Sequence, residues 1–370
     1  MPNPIKPLYV SATKQDTGKT TVMLGLIQIL RDQGLDVGYI KPVGQRYVVF
    51  DGMNVDEDAV LARQAFGLKD HPADMSPIAI ERGFTEQYIF HRDAPPLERR
   101  ILDAYGRIRD AHGIVAIEGT GHAGVGSCFD LSNARVAELL GASAVIIAEG
   151  GIGRALDEVA LSLHLFRKHG VEVLGVILNK TWPEKREKIA RVVAQGLLNM
   201  GTRLLGVVPF RAQLGHPRME QIISEVHGRV LCGEAAFRNP IEHVIVAAMT
   251  PINFCRYLAK NTLVVIPGDR IDNLLVAVGL CPGGSRGERS VSGLVLTGGF
   301  EPPAPILRLI EDAGVPTVLC QEDTYAVAAA IKGLSFKIEP GDADKIEAAQ
   351  NLIRESLDVS ALMGALGGAA

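Results

Sequence analysis

The stretch Thr13-Lys14-Gln15-Asp16-Thr17-Gly18-Lys19-Thr20-Thr21 decides the fold because of what lies on either side of it. Before it comes a short apolar run, Leu8-Tyr9-Val10, which is typical of a buried strand. After it, apolar residues recur at helical spacing until Gly34, where the helix should end: Met23, Leu26, Ile27 and Leu30. The pattern predicts a strand, a loop and a helix in that order.

A loop in this setting can hold a polyphosphate. Backbone N–H groups of the turn and the positive end of the helix dipole converge on one anion. We expect Lys19 to reach the outer phosphates of ATP and Thr20 to offer its hydroxyl to Mg²⁺. Thr13 stands where the usual G-x-x-x-x-G-K-[ST] motif has its first glycine, so an ordinary helix start is the alternative interpretation.

Composition limits the classes of partner. The 370 residues suffice for two domains, and 47% hydrophobic with 22% charged residues is typical of a globular protein. A net charge of −4 gives no basic surface for nucleic acid, and no apolar run is long enough to span a membrane. We therefore expect a cytoplasmic protein without nucleic-acid or membrane partners. Five cysteines without CxxC spacing favour buried free thiols: Cys128, Cys232, Cys255, Cys281 and Cys320.

Short apolar runs alternate with helical patterns along the chain, which predicts α/β folds with mostly parallel sheets. The predicted strands of the first half are residues 37–41, 114–117, 144–148, 174–178 and 204–208. Those of the second half are residues 243–248, 263–266, 293–296 and 317–320. We predict a P-loop nucleotide-binding domain over residues 1–215, a linker over 216–240, a smaller α/β domain over 241–345, and a C-terminal helix and tail over 346–370.

Two carboxylates are candidate metal ligands. Glu118 follows the apolar run 114–117 directly and precedes a glycine turn, so it should emerge at the carboxyl end of a strand. Asp58 begins another helical pattern. With the Thr20 hydroxyl, these oxygens suit Mg²⁺, which prefers hard oxygen ligands beside phosphate. The alternatives are a solvent-facing loop acid for Glu118 and a helix N-cap for Asp58.

Two further lysines are candidate functional residues. Lys14 lies five residues before Lys19, a spacing that resembles the deviant Walker loop, in which the earlier lysine reaches the nucleotide of a second subunit. This predicts at least a dimer. Lys41 ends a predicted strand and precedes Pro42, so its ammonium group could pair with a carboxylate or phosphate of a second substrate. An exposed or snorkelling lysine is the alternative at both positions.

The first 210 or so residues resemble dethiobiotin synthetase in the order and spacing of five stretches: Ser11 to Thr20, Ile40-Lys41-Pro42-Val43, Asp58-Ala59, Glu118-Gly119-Thr120-Gly121 and Gly175-Val176-Ile177-Leu178-Asn179. The resemblance implies a Mg·ATP site. It implies these roles: Thr20, Asp58 and Glu118 near the metal, Lys19 on phosphate, Lys41 toward the acceptor substrate, and Asn179 on the adenine. GTP is the alternative nucleotide, because Asn179-Lys180 begins an N-K-x-D motif, although Trp182 replaces its aspartate.

The remainder resembles the DRTGG domain, through Asp269-Arg270 after one predicted strand and Thr297-Gly298-Gly299 after another. These residues are candidates for a second small-molecule site, and ordinary turn chemistry is the alternative. The two domains together are similar to the N-terminal half of long bacterial phosphate acetyltransferases. Their acetyltransferase domain has no counterpart in this sequence, so we expect that activity to be absent from this chain.

Two functions follow as hypotheses. The protein is either a nucleotide-dependent regulatory or sensor ATPase or an ATP-dependent ligase that activates a carboxylate or carbamate. The stretch Ser127-Cys128-Phe129-Asp130 does not match the substrate loop of dethiobiotin synthetase, which favours the sensor. Under either hypothesis, a chain cut near Pro209 should still bind ATP, provided that it folds.

Overall fold

The computed structural model describes residues 5–279, 289–334 and 336–367. The strands are β1 Leu8–Ala12, β2 Val37–Ile40, β3 Val43–Gly44, β4 Tyr47–Phe50, β5 Met53–Asp56, β6 Ile78–Ala79, β7 Ile114–His122, β8 Ser143–Glu149, β9 Val173–Thr181, β10 Leu204–Pro209, β11 Arg229–Cys232, β12 His243–Val246, β13 Thr262–Pro267, β14 Val291–Thr297 and β15 Thr317–Leu319.

The helices are α1 Lys19–Asp32, α2 Glu57–Phe66, α3 Pro72–Met75, α4 Phe84–Phe90, α5 Ala94–Ala111, α6 Asn133–Leu139, α7 Gly153–Lys168, α8 Arg186–Asn199, α9 Met219–Val226, α10 Pro251–Tyr257, α11 Ile271–Gly279, α12 Ala304–Asp312, α13 Thr324–Gly333, α14 Ala343–Ser356 and α15 Val359–Leu366. Short 3₁₀ helices lie at Ser127–Phe129, Pro183–Lys185, Ala212–Gly215 and Glu234–Ala236.

The chain forms two compact units. The first consists of the residues up to Arg211 together with those from Ile338 onward, and the second of residues 212–337. The central sheet of the first unit has the strand order β10-β9-β8-β1-β7-β2, and all neighbouring strands are parallel. Residues 144–148 of β8 are fully buried, as expected for a strand covered on both faces. The predicted α/β fold with a parallel sheet is confirmed.

The second unit is a smaller α/β domain, also as predicted. Its sheet has the order β11-β15-β14-β13-β12, in which only the pairing of β11 with β15 is antiparallel among the described strands. Alternate strand residues contribute to two cores. One core contains Val264 and Leu296 with helices α10 to α12, and the other contains Leu263 and Val295 with α9 and α13. The sheet is therefore covered by helices on both faces.

The segment 216–240, predicted to be a linker, forms part of the second unit. It contains α9 and β11, and β11 pairs with β15. Met219, Ile222 and Val226 of α9 pack in the same core as Val327 and Ile331 of α13. Their spacing of three and four residues places them on one helix face, a signal that the polar residues around them obscure in the sequence.

The C-terminal segment packs on the first unit. Ile353 of α14 is fully buried, and a Cβ added at Gly25 of α1 would lie 2.2 Å from the Ile353 Cβ. The absence of a side chain at Gly25 therefore allows the two helices to approach closely. Arg354 forms an ion pair with Asp32 at 2.7 Å, and the Asp358 backbone N–H donates to the Leu205 carbonyl. The first unit is thus built from both ends of the chain.

The cysteines are free thiols wherever the structure describes them, but burial is found only for Cys320. Cys128 is exposed, Cys232 and Cys255 are half-buried, and Cys281 lies outside the described residues. Burial raises the pKa of the Cys320 thiol to about 11, so this thiol is a poor nucleophile. Within the described ranges, no helix is both long and apolar enough to cross a membrane.

Candidate functional site

The predicted phosphate loop connects β1, in the middle of the sheet, to α1. Gly18 precedes the first helical residue with φ +86°, a conformation that favours glycine. Asp16 also has positive φ, at 56°. Gln15 and Asp16 are exposed, whereas Thr17 is buried beneath them. Lys19, Thr20 and Thr21 lie in the first turn of α1, so the backbone N–H groups of this turn are at the helix end that favours anions.

Asn179 and Lys180, at the end of β9, hold this loop from the side. The Asn179 Nδ2 donates to the Thr17 carbonyl oxygen at 2.7 Å, and a Cβ added at Gly18 would lie 2.4 Å from the same Nδ2. The Lys180 ammonium group donates to the Asp16 carbonyl oxygen. Asn179 is only 5% exposed. Its amide nitrogen therefore positions the loop, and the adenine contact expected from the sequence stays a prediction.

Three predicted metal ligands come together beside the loop. The Thr20 hydroxyl donates to Glu118 Oε1 at 3.0 Å and lies 3.2 Å from Asp58 Oδ1. Glu118 comes from β7, next to β1 in the sheet, and Asp58 from the first turn of α2. Both carboxylates are buried, with exposures of 1% and 4%. Hard oxygen groups from three separate elements thus converge on one point.

Lys41 lies next to this cluster but is already paired. Its ammonium group contacts Asp58 Oδ2 and lies 3.0 Å from Asp56 Oδ1. Burial alone would lower the pKa of Lys41, but the carboxylates of Asp58, Glu118 and Asp56 outweigh it and raise that pKa. Lys41 therefore remains protonated and neutralises carboxylates of its own chain, whereas the sequence suggested an acceptor substrate as its partner.

Asp56 and Tyr39 belong to this cluster and were not predicted from the sequence. Asp56 Oδ1 caps α2 by accepting from the Asp58 N–H at 3.0 Å, and Oδ2 has no hydrogen-bond partner among the described residues. The Tyr39 hydroxyl donates to Glu118 Oε2 at 2.9 Å. Burial and the nearby Asp58 carboxylate raise the pKa of Glu118, whereas Lys41 and Lys19 oppose this shift. The acidic run 56–58 contained a signal for Asp56, but Tyr39 looked like any apolar strand residue.

Asn133 holds the glycine turn that follows Glu118. Its Oδ1 accepts from the Tyr9 hydroxyl at 2.8 Å and from the Thr120 N–H at 3.0 Å, and its Nδ2 donates to the Thr120 carbonyl at 2.7 Å. A Cβ added at Gly119 would lie 2.7 Å from the Asn133 Oδ1. A bare backbone at Gly119 is thus needed for this contact, and Asn133 indirectly positions the Glu118 carboxylate.

Lys14 forms an ion pair within its own chain. Its ammonium group contacts Glu149, which ends β8, and both side chains are partly exposed. The neighbouring Thr13 hydroxyl donates to Glu158 Oε2 at 2.9 Å. For Lys14 to reach a nucleotide on a second copy of the chain, its pair with Glu149 must open. The role of Lys14 in a dimer therefore stays a prediction.

The second unit brings together most of the other predicted ligand residues. Asp269, Arg270, Thr297 and Gly298 line one cavity of about 460 Å³ at the carboxyl ends of β13 and β14. Gly298 and Gly299 both have positive φ, at 79° and 70°, as expected for turn glycines. A Cβ added at Gly299 would lie 2.6 Å from the Gln321 Oε1, so this glycine serves packing and does not line the cavity.

Comparison with known protein families agrees with the division of the chain into two units. Residues 6–218 match the family described as the AAA domain, and this match covers more than half of the chain. The chain belongs to the AAA domain family. In this protein, residues 221–334, which follow the AAA domain, match the DRTGG domain. The predicted order of a P-loop domain followed by a DRTGG domain is confirmed.

The relatives of this AAA and DRTGG chain include phosphate acetyltransferases, as predicted. The enzyme of Nitratidesulfovibrio vulgaris is 29% identical over 365 residues, covering 96% of this chain and 51% of the relative. That of Synechocystis is 26% identical over 370 residues, covering 97% of this chain and 51% of the relative. The chain thus spans about half the length of the curated relatives it matches.

Solved structures with a related chain path include MinD proteins. The MinC:MinD cell division complex of Aquifex aeolicus covers 56% of this chain and 83% of its own, with 12% identity and a TM-score of 0.36. The septum site-determining protein MinD of Pyrococcus horikoshii, solved with Mg-ADP, has the same coverage, 18% identity and a TM-score of 0.35. The CBS and DRTGG domains of Clostridium perfringens pyrophosphatase give a TM-score of 0.27 at 12% identity, covering 56% of this chain and 86% of their own.

Proposed function

We propose that the AAA domain binds Mg·ATP and acts as a nucleotide-dependent regulatory or sensor ATPase related to the N-terminal half of phosphate acetyltransferase. One observation carries this proposal. The Thr20 hydroxyl, at the start of α1, lies within 3.2 Å of carboxylate oxygens from both Asp58 and Glu118. A phosphate loop and a set of hard oxygen ligands thus occur side by side, as a Mg·nucleotide site requires.

The residues fit Mg²⁺ chemically. Thr20, Asp58 and Glu118 present oxygen atoms, and the two carboxylates are buried close enough together to repel each other. A divalent cation relieves that repulsion, which is the physical reason to place a cation beside paired carboxylates. When bound, Mg²⁺ would supply charge neutralisation for the phosphate oxygens. Thr20 and the two carboxylates would hold it.

The remaining residues hold the loop and its surroundings in place. Lys19 would place its positive charge on the outer phosphates, and the N–H groups around Gly18 would donate to phosphate oxygens. Asn179, bonded to the Thr17 carbonyl, keeps these N–H groups oriented before the ligand arrives. Lys41 compensates the negative charge of Asp56 and Asp58. This division of roles needs no second substrate.

The engaged state of Lys41 favours the sensor over the ligase. A ligase of the dethiobiotin synthetase type would need the Lys41 ammonium group to face its acceptor. Here Lys41 is 5% exposed, and its ammonium group lies between two carboxylates of the same chain. Steady-state ATP turnover measured alone and with a panel of small diamines and carboxylic acids distinguishes the two functions. The sensor hydrolyses ATP at a rate independent of the panel, whereas a ligase requires one of its members.

Lys19→Ala tests nucleotide binding directly. The variant should weaken Mg·ATP binding by about 1.5 to 3 kcal/mol, the range for a hydrogen bond to a charged group. Calorimetry on the full chain measures the affinity. Lys188→Ala, which removes an exposed lysine on α8, is the matched control and should bind like the wild type. Equal affinity of the wild type and Lys19→Ala would refute the proposal.

A further inference from the structure

The second unit has a crevice at a position where open α/β sheets bind ligands. After β14 the chain passes to one face of the sheet, where Ile310 of α12 packs with Phe254 and Leu274. After β15 it passes to the opposite face, where Val327 and Ile331 of α13 lie in the other core. Two neighbouring parallel strands thus send their connections to opposite faces. This divergence opens a crevice outside their carboxyl ends.

The cavity of about 460 Å³ lies at this point. Its lining residues lie at or just beyond the ends of four strands: Val246 and Ala248 for β12, Pro267, Asp269 and Arg270 for β13, Thr297, Gly298 and Phe300 for β14, and Asp323 and Thr324 for β15. The volume falls within the range of sites for small organic molecules, roughly 300 to 1,000 Å³. The position and size are therefore those of a binding site for one small molecule.

The charged groups of the crevice do not suit an anion. Arg270 is the one cation among the described lining residues, and its guanidinium group is already engaged. It donates to the carbonyl oxygens of Ala248 at 3.2 Å and Met249 at 2.9 Å, and to both Asp272 carboxylate oxygens at 3.0 and 3.1 Å. Asp269 and Asp323 add two carboxylates to the same lining, although Asp323 Oδ1 also caps α13 by accepting from the Tyr325 and Ala326 N–H groups. Phosphate would meet repulsion, whereas hydroxyl or amino donors would find acceptors.

The rest of the lining is flat and apolar. Phe300 is 55% exposed, and its ring lies over Gly298, where an added Cβ would come within 2.9 Å of two ring carbons. Val246, Ala248 and Pro267 supply aliphatic surface. A half-exposed aromatic ring at the edge of a cavity offers a stacking face to another flat ring. The lining thus combines a stacking surface with carboxylate acceptors.

We propose that this crevice of the DRTGG domain binds an uncharged nucleoside, that is, a flat heterocycle bearing ribose hydroxyls. The heterocycle stacks on Phe300, and the ribose hydroxyls donate to Asp269, whose side chain is exposed at the end of β13. A carboxylate at a strand end is a suitable acceptor for ribose hydroxyls in an α/β crevice. Phosphorylated forms of the same compound bind more weakly, because the crevice offers them no unengaged cation among its described residues.

Calorimetry on the full chain with adenosine, guanosine, cytidine and uridine tests the site. We expect at least one of them to bind, and its 5′-monophosphate to bind at least about 10-fold more weakly. Asp269→Asn should lower the affinity about 10- to 100-fold, corresponding to the loss of a charged acceptor. Phe300→Leu, which keeps apolar volume but removes the flat ring, should lower it about 3- to 10-fold. Asp312→Asn, exposed at the end of α12, is the control and should leave it unchanged.

Three outcomes at the crevice itself overturn the proposal. The first is that none of the four nucleosides binds, and the second is that the monophosphate binds more tightly than the nucleoside. The third is that Asp269→Asn binds the nucleoside as tightly as the wild type. The nucleotide loop of the AAA domain is tested separately, since Lys19→Ala should weaken ATP binding and leave nucleoside binding as in the wild type. Nucleoside binding that disappears in Lys19→Ala would assign the compound to the AAA domain and also overturn the proposal. Thermal unfolding of each variant checks that the fold is retained.

Discussion

The two candidate sites of this protein occupy equivalent places in two α/β folds but differ in how their charges are held. In the AAA domain, Lys41, Asp58 and Glu118 are at most 5% exposed; Lys41 forms an ion pair with Asp58, and the Thr20 hydroxyl links Asp58 to Glu118. In the DRTGG domain, Asp269 is exposed, and Arg270 is held mainly by backbone carbonyls and its near neighbour Asp272. One site is a buried charge network and the other is an open crevice.

This difference determines what each site contributes to stability. A buried charge is tolerated only while its partners are present, so removing one member leaves the others desolvated and unpaired. An exposed charge keeps its water, so its removal changes stability little. We therefore expect function and folding to be coupled at the AAA site and separable at the DRTGG crevice. Five predictions test this contrast.

The largest effect should come from cutting the chain at Pro209, which removes the second unit and also the C-terminal part of the first unit. A chain ending at Pro209 loses α14 and α15 with their buried apolar residues: Ile346, Ala349, Leu352, Ile353, Leu362, Met363 and Leu366. Each large side chain contributes about 1.5 to 3 kcal/mol, and together they match the roughly 5 to 15 kcal/mol that stabilises a typical domain. We expect the truncated chain to lack cooperative urea unfolding. A folded, ATP-binding product would show that the AAA site is complete without the C-terminal segment.

In the full chain, Ile353→Ala should lower the free energy of unfolding by about 2 to 5 kcal/mol, because it leaves a cavity against Gly25. Val192→Ala on α8, where the valine is 38% exposed, is the matched control and should change it by less than about 0.5 kcal/mol. Trp182 lies in the AAA domain and is the one tryptophan of the sequence, so its fluorescence follows unfolding of that unit.

Lys41→Met should have the next largest effect. The variant leaves Asp56 and Asp58 buried without their cation, which should lower the free energy of unfolding by about 3 to 5 kcal/mol. The same change at Lys6, in an exposed ion pair with Glu172, should lower it by at most about 1 kcal/mol. Urea unfolding followed by Trp182 fluorescence measures both. Equal effects at the two positions would contradict the idea of a buried network.

Gly18→Ala should have a smaller effect on stability but a large one on nucleotide binding. The left-handed conformation disfavours an L-residue by about 1 to 2 kcal/mol, and the new methyl group would contact Asn179 at 2.4 Å. Gly34→Ala has a similar φ, +79°, but nothing within 4 Å of the added Cβ. Gly18→Ala should therefore be less stable than Gly34→Ala by about 1 kcal/mol, the cost of a disturbed hydrogen bond. It should also bind ATP more weakly. Gly34→Ala should keep the wild-type ATP affinity.

The smallest effect should be that of Asp269→Asn in the crevice. Because this carboxylate is exposed, its replacement should change the free energy of unfolding by less than about 0.5 kcal/mol. Thermal unfolding by calorimetry, which also follows the tryptophan-free DRTGG domain, is the measurement. A loss of several kcal/mol would mean that Asp269 belongs to a structural network, and the contrast between the two sites would disappear.

Much of the fold could be predicted because periodicity is local. The apolar runs predicted the strands, and the glycines after helical patterns predicted the helix ends. Thr20 and Glu118 could be expected to meet because neighbouring parallel strands present their carboxyl ends at one edge, whereas the place of Asp58 was implied by the family resemblance. The role of 216–240 could not be predicted in this way. Its helix α9 contributes three core residues, but polar residues surround them. The overall composition of the segment therefore does not indicate a buried helix.

The sequence by itself determined the order of the elements, the phosphate loop and the two families, since these depend on residues close together in the chain. Only the tertiary structure decided which groups became partners. Lys41 pairs with Asp56 and Asp58, Asn179 holds the loop at Thr17, and Ile353 packs on Gly25. The physical reason is that pairing of buried charges and close packing depends on distances across the sheet and between helices, which residue spacing along the chain does not contain.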